Sequence, residues 1–182
     1  AMTSLAPSGD SETYEIVVTR AADETTIYDP NPDGQAGFGP HLAQRGNILI
    51  AGAPEATWCP SEGDQGEACL ETGLVHVYAR IGHDWRLTTT LASGEQTPGQ
   101  RMGAAVALSN ERLVIGAPGA GAVHVFEREA GVWRPSARLA PTGERGAGFG
   151  HQVALDGDTI AVSALNDASC ATGVDGDETD RG

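Results

Sequence analysis

Short apolar runs separated by polar turns recur along the chain and predict β-strands. Residues 48–51, 113–115 and 160–162 are almost entirely apolar, which is typical of strands buried on both faces. Residues 73–78 and 121–126 share the pattern Gly-x-Val-His-Val-aromatic, and their Val and aromatic residues favour a further strand in each case. No segment has a convincing helical period. The pattern therefore predicts an all-β chain.

One spacing occurs three times and groups these strands into units. An aromatic residue or Met, followed by Gly, lies fourteen residues before a Gly-Ala-Pro-like triplet. The copies begin at Phe38, Met102 and Phe149, and their triplets are residues 52–54, 116–118 and 163–165. Each full unit then holds four strands in an antiparallel meander of about 47 residues, and a period of this size indicates stacked or radial units. Four-stranded units are predicted to pack radially as β-propeller blades.

The repeated residues also predict how the units pack. The glycines of the Phe-Gly and Gly-Ala-Pro positions allow close approach of two backbones near the narrow axis of a propeller. The aromatic residues are expected to wedge between neighbouring blades and to bury a large area. Trp85 and Trp133 each follow the aromatic of the Gly-x-Val-His-Val-aromatic pattern by seven residues, so we expect both to be structural.

The unit boundaries follow from the same spacing. Ile27 precedes Phe38 by eleven residues, as Leu91 precedes Met102, so Ile27 is assigned to the outer strand of a preceding unit. The predicted organisation is a disordered or tag-derived segment (1–12), orphan strands of a preceding unit (13–36), a first blade with an inserted loop (37–100), a second blade (101–147) and an incomplete third blade (148–182).

Composition excludes several classes of function. The chain has 25 acidic and 11 basic residues and a formal net charge of -14, which argues against binding to nucleic acid or to anionic membranes. All basic residues are Arg, so Lys-based chemistry such as Schiff-base formation is absent. No apolar run is long enough for a transmembrane helix, and no signal peptide is visible; membrane insertion is not expected.

The Phe-Gly, Gly-Ala-Pro and Gly-x-Val-His-Val-aromatic segments, with the later Trp, resemble the FG-GAP repeat. This repeat is the blade unit of integrin α-subunit propellers and of many bacterial surface proteins. The resemblance covers residues 27–182, and the bacterial form is closer because of residues 153–160 (Val-Ala-Leu-Asp-Gly-Asp-Thr-Ile). It implies a seven-bladed propeller, of which this chain supplies about two and a half blades. We therefore predict a fragment whose ring is completed by missing sequence, self-association or a partner chain.

The resemblance also implies a function. It predicts an extracellular or cell-surface adhesion or recognition module that binds a protein or glycan ligand on a cell surface or in a matrix. The alternatives are a carbohydrate-binding or enzyme-accessory propeller and a purely structural spacer. Enzymatic activity is not expected, because the sequence has no Ser-His-Asp order, nucleophile elbow or zinc-spaced His/Cys set. Of the five His, His76 and His124 occupy the same repeat position, and His41 and His151 nearly do so next to Phe-Gly. This recurrence favours an architectural role.

Two segments have the oxygen ligands that calcium prefers. Asp29, Asn31 and Asp33 precede Gly34 and match the first half of a calcium-loop signature, although its final Glu is missing. Asp167, Asp175, Asp177 and Asp180 fall within one polar stretch near residue 182. The alternative for both segments is a solvated acidic loop. The calcium loop of integrin-type blades does not carry over, because the turns between the first and second strands are too short here.

The inserted loop of the first blade holds Trp58, Cys59 and Cys69. The two cysteines bracket a polar, Gly-containing segment and can close a small disulfide ring, as in secreted proteins, or remain free thiols. Trp58 does not occupy a repeat position, so it is a candidate anchor for a protein or sugar. The alternative is that Trp58 packs over the disulfide ring. Cys170 has no evident partner, and the resemblance implies a second Cys later in its loop.

Overall fold

The computed structural model describes residues 2–5, 15–20, 23–30, 37–59, 69–95, 97–141 and 148–165. Within these ranges the chain forms antiparallel strands and a short 3₁₀ turn, Pro118–Ala120. No helix there is long and apolar enough to span a bilayer. In chain order the strands are β1 Met2–Leu5, β2 Glu15–Arg20, β3 Asp23–Tyr28, β4 Leu42–Arg45, β5 Ile48–Ala53, β6 Thr57–Trp58, β7 Leu70–Glu71, β8 Leu74–Ile81, β9 Asp84–Leu91, β10 Ala105–Leu108, β11 Arg112–Ala117, β12 Ala122–Glu129, β13 Val132–Leu139, β14 Phe149–Asp156 and β15 Thr159–Ala164.

Two four-stranded sheets have the same topology. The first has the strand order β4-β5-β8-β9 and the second has the order β10-β11-β12-β13, and every neighbouring pair is antiparallel. Strand β5 is buried at every residue, and β11 at all but its first, because each lies inside its sheet and also packs against a neighbouring sheet. The prediction of an all-β chain built from four-stranded antiparallel blades is confirmed. The seven-bladed parent stays a prediction.

Glycines bring the repeated segments of adjacent sheets into contact. The Gly39 N–H donates to the Gly52 carbonyl oxygen at 3.0 Å within the first sheet, and Gly103 donates in the same way to Gly116 within the second. Across the seam between the sheets, a Cβ placed on Gly52 would overlap the carbonyl oxygen of Gly103. A Cβ on Gly116 would overlap Gly150 of the following sheet in the same way. These glycines therefore permit the close backbone approach that the sequence predicted.

Two hydrophobic clusters fill the seams between sheets. The Phe38 cluster joins the N-terminal strands to the first blade, and the Met102 cluster joins the first blade to the second. The Phe38 cluster comprises Ile16, Ile27, Phe38, Leu49, Ala51, Ala53, Ala56, Leu74 and Tyr78. The Met102 cluster comprises Ile48, Ile50, Val75, Val77, Leu91, Met102, Leu113, Ile115, Ala117, Phe126 and Trp133. Phe38 and Met102 are almost completely buried, as expected for residues that wedge between blades.

The N-terminal strands form a three-stranded sheet in the order β1-β2-β3. Its hairpin matches the outer hairpins of the two complete blades: Ile16 pairs with Ile27 as Val75 pairs with Leu91. A Cβ on Gly39 would contact Ile16, just as a Cβ on Gly103 would contact Val75. These matching contacts support the interpretation of β2 and β3 as the third and fourth strands of a preceding unit.

Strand β1 lies within residues 1–12, which the sequence predicted to be disordered or tag-derived. Met2–Leu5 instead pairs antiparallel with β2, in the register Met2 to Val18 and Leu5 to Glu15. Without it, β2 would present an unpaired edge whose backbone N–H and C=O groups need partners. Small polar residues do not prevent a strand from forming when a neighbouring edge supplies these hydrogen bonds. The rest of residues 1–12 lies outside the described ranges.

The third sheet contains β14 and β15. Its second strand, β15, is exposed or half-buried at every position, whereas its counterparts β5 and β11 are almost fully buried. Phe149 is half-buried, in contrast to Phe38. No third or fourth strand of this unit lies within the described ranges, and no described strand covers β15 as β8 covers β5.

A buried histidine predicts a loss of stability in acid. His76 in β8 is 1% exposed, its Nδ1 lies 2.9 Å from the Thr90 hydroxyl, and burial lowers its pKa from 6.5 to about 4. As the pH falls below 6.5, the unfolded chain takes up a proton at this residue and the folded chain does not, so stability is lost. We expect His76 to account for about 2 kcal/mol of the fall in unfolding free energy between pH 7.5 and pH 4.5.

Urea titrations of the wild type and of His76→Gln at both pH values measure this contribution. Gln does not titrate and retains hydrogen-bonding groups for Thr90. The variant is therefore expected to show a smaller fall in stability than the wild type. An equal fall in the two proteins would contradict the assignment to His76.

Candidate binding surface

The repeated triplets define one end of the blades. In each complete blade the N–H of the Phe-Gly glycine donates to the carbonyl oxygen of the Gly-Ala-Pro glycine. Because of this hydrogen bond, two segments lie at the same end of the sheet: the one before the first strand, and the connection from the second strand to the third. We call this the GAP end. In the second blade the connection is the short turn Pro118–Ala120, closed by Gly121 in a left-handed conformation. In the first blade it is much longer and carries its own ribbon.

This ribbon consists of β6 and β7, and a disulfide joins the residue after β6 to the residue before β7. Thr57 pairs with Glu71 and Trp58 with Leu70. Cys59 and Cys69 are joined by a disulfide with their Cα atoms 4.3 Å apart. The predicted Cys59–Cys69 disulfide is confirmed. The covalent link and the strand pairing fix the base of the insertion, while residues 60–68 lie outside the described ranges.

Trp58 combines the two roles that the sequence left open. It is half-buried and packs against the Phe38 cluster, while its neighbours Thr57 and Cys59 are exposed. The ribbon thus holds the indole against a fixed core and leaves part of it on the surface. A tryptophan in this state can bind a ligand at little cost in side-chain entropy.

The predicted calcium ligands fall largely outside the described residues. Asp29 is half-buried near Tyr78, whose pKa is raised by burial and further by the Asp29 carboxylate. The remaining predicted ligands lie outside the described ranges, as does Cys170; they are Asn31, Asp33, Asp167, Asp175, Asp177 and Asp180. Among the described residues, no group of three or more His, Cys, Asp or Glu is placed to hold a metal. The calcium sites stay predictions.

A cavity that the sequence did not predict also lies at the GAP end. It has a volume of about 380 Å³ and is lined by residues of β4, β10 and β14, by the segments just before β4 and β10, and by Pro118 of the 3₁₀ turn. Its basic side chains are His41, Arg101 and His151. The pKa of His41 is lowered by burial first, and then by the positive charges of His151 and Arg101.

The sequence predicted an architectural role for His41 and His151, and that interpretation stays a prediction. Counted from the Phe-Gly site, His41 corresponds to Gln152, and His151 corresponds to Pro40, so the two occupy different repeat positions. The structure nevertheless brings them to one cavity. A signal was present in the sequence: Arg101 stands before Met102-Gly103, where the other two copies have Gly37 and Gly148.

Comparison with known proteins identifies the repeat in part of the chain. Residues 133–179 match the family model of the FG-GAP repeat. No curated protein matches the chain. The matched segment begins in β13 and includes all of β14 and β15. Residues 133–179 are therefore an FG-GAP repeat, set in an all-β structure whose blades agree with a partial FG-GAP propeller.

Proposed function

We propose that this protein is a non-enzymatic extracellular or cell-surface adhesion module that binds a protein or glycan ligand at its GAP end. The observation that carries the proposal is Trp58, half-exposed on a disulfide-anchored ribbon beside the Phe38 cluster. The FG-GAP repeat supports an integrin-like recognition role. The disulfide supports an oxidising compartment, where such bonds form and persist.

The ribbon suits recognition because it is rigid at its base. The disulfide and the β6–β7 pairing hold the loop ends together before any ligand arrives. The binding loop therefore loses less conformational entropy when a ligand binds, and the free energy of association is reduced by a smaller amount. A central aromatic residue surrounded by weaker contacts is the usual source of most binding energy at a protein interface.

Trp58→Ala is expected to weaken ligand binding at least tenfold, since truncation of an aromatic anchor removes more than 1 kcal/mol of binding energy. Binding of the 182-residue chain is measured against a panel of purified matrix proteins and on a glycan array. Trp85→Ala is the matched control, because Trp85 is also half-buried against the Phe38 cluster but lies in β9 beside the hairpin at the opposite end of the sheet. Equal losses in both variants, or none in either, would contradict the assigned role of Trp58.

The same assays separate the alternative functions when they are repeated in EDTA and in excess calcium. A protein ligand whose binding depends on calcium supports adhesion and the predicted ligand sets around Asp29 and Asp175. Glycan binding that is lost in Trp58→Ala supports a carbohydrate-binding or enzyme-accessory propeller, since aromatic faces are suited to apolar sugar surfaces. A chain that binds neither class is a structural spacer.

A further inference from the structure

The cavity at the GAP end has the size of a small-molecule site. Its volume of about 380 Å³ lies within the range of roughly 300–1,000 Å³ that is usual for ligand pockets. Polar groups form the larger part of the wall, and the apolar side chains of Leu42, Val106 and Val153 form the rest together with Ala and Pro residues. Three separate sheets contribute to it, so its shape depends on how the blades pack.

The charge of the cavity is opposite to that of the protein. The chain has more than twice as many acidic as basic residues and a net charge of -14. The described lining of the cavity nevertheless contains two histidines and an arginine and no carboxylate. No carboxylate of the described lining neutralises these basic groups. An anion is therefore the ligand whose charge complements the cavity best.

Arg101 occupies a strained backbone position. Its φ angle is +58°, a left-handed value that residues other than Gly, Asn and Asp rarely adopt. Gly37 and Gly148 occupy the corresponding positions in the other two repeats, with φ angles of +58° and +75°. An arginine at a glycine position costs about 1 kcal/mol or more in backbone energy. Strain of this kind is concentrated at functional sites, and the strained residue here is one that lines the cavity.

We propose that this cavity is a binding site for a carboxylate carried on a short apolar group, with Arg101 as its principal ligand and with His41 and His151 completing the site. The planar guanidinium can donate two parallel hydrogen bonds to a carboxylate. Each imidazole can donate a further one, and the walls formed by Leu42 and Val106 accept the apolar part of the ligand. This site does not depend on the function proposed for Trp58.

The geometry also sets a pH dependence. The charged groups that face His41 are His151 from β14 and Arg101 from the segment before β10, and both oppose protonation of His41. A bound carboxylate offsets this repulsion and favours the protonated imidazole. Affinity is therefore expected to rise as the pH falls from 8 to 5.5, and by reciprocal linkage the ligand raises the pKa of His41.

Butyrate is a suitable probe, and butyramide is its uncharged control. Binding to the 182-residue chain is followed by NMR of the histidine imidazoles at pH 5.5 and pH 8. We expect butyrate to shift the His41 and His151 signals, to bind several-fold more tightly at pH 5.5, and to raise the pKa of His41. Butyramide is expected to produce no shift. A blocked peptide with one internal Glu then identifies the source of the carboxylate: tighter binding of the peptide than of butyrate points to a partner protein, and tighter binding of butyrate points to a free acid.

Arg101→Gly is the decisive variant, because glycine suits the left-handed φ and the fold is retained. It is expected to weaken butyrate binding about tenfold or more, since a charge-assisted hydrogen bond is lost. Arg86→Gln removes one positive charge from an exposed site in β9, away from the cavity, and should leave binding unchanged. Absence of butyrate binding, equal affinity in Arg101→Gly, or tighter binding of inorganic phosphate than of butyrate would overturn the proposal.

Discussion

Gly116→Ala is expected to lower the free energy of unfolding by about 3 kcal/mol, the upper part of the usual range for overpacking. The added Cβ would overlap the backbone carbonyl oxygen of Gly150 in the next sheet and would also lie 3.2 Å from the Ala105 Cβ. A backbone carbonyl cannot rotate away as a side chain can. Relief of the clash therefore requires the second and third sheets to separate, which weakens packing along that whole seam.

Gly94→Ala is the matched control for this substitution. Neither glycine has a left-handed φ, and a Cβ on Gly94 meets no atom within 4 Å. The control variant should change stability by less than about 0.5 kcal/mol, as surface substitutions do. Urea denaturation followed by circular dichroism measures both variants. Similar midpoints for Gly116→Ala and Gly94→Ala would show that the seam adapts more readily than its geometry indicates.

Phe38→Ala is expected to lower the free energy of unfolding by about 3–5 kcal/mol, the range for truncation of a buried aromatic residue. Phe38 is 2% exposed, and its ring centroid lies 5.8 Å from that of His76 and 6.4 Å from that of Tyr78. It also packs in one cluster with Ile16 of the N-terminal hairpin. Its removal would leave a cavity between this hairpin and the first blade.

Phe149→Ala provides an internal comparison, because Phe149 occupies the same repeat position in the third unit. Phe149 is only half-buried, and no strand equivalent to β8 covers it within the described ranges. A smaller loss of roughly 1–2 kcal/mol is expected, in proportion to the area it buries. Parallel urea titrations of the two variants compare these losses. Equal losses would mean that Phe149 is covered as fully as Phe38.

Both predictions concern the seams between blades, and the seams also position the candidate sites. Trp58 packs on the Phe38 cluster, and the cavity around Arg101 is lined by residues from three sheets. A change in blade packing would therefore alter both sites together. For this reason the binding experiments use Trp85→Ala and Arg86→Gln as controls, since both residues lie in β9, outside the ribbon and the cavity.

Much of the fold could be predicted from the sequence because the repeat encodes it locally. The strand pattern, the glycine positions and the wedge residues Phe38 and Met102 all follow from one spacing and from the period of the apolar runs. The Cys59–Cys69 disulfide was one of two alternatives for cysteines close together in sequence. Strand β1 was not predicted, because its hydrogen-bonding partner is an exposed edge and not a feature of its own residues.

The candidate site was predicted only in part, and the difference has a physical cause. The sequence by itself determined the blade units and singled out Trp58, since strand period, turn chemistry and repeat spacing act over short distances along the chain. Only the tertiary structure decided that Trp58 packs on the Phe38 cluster and that His41, Arg101 and His151 line one cavity. Their meeting depends on how three sheets pack side by side, which no spacing between residues 41, 101 and 151 encodes.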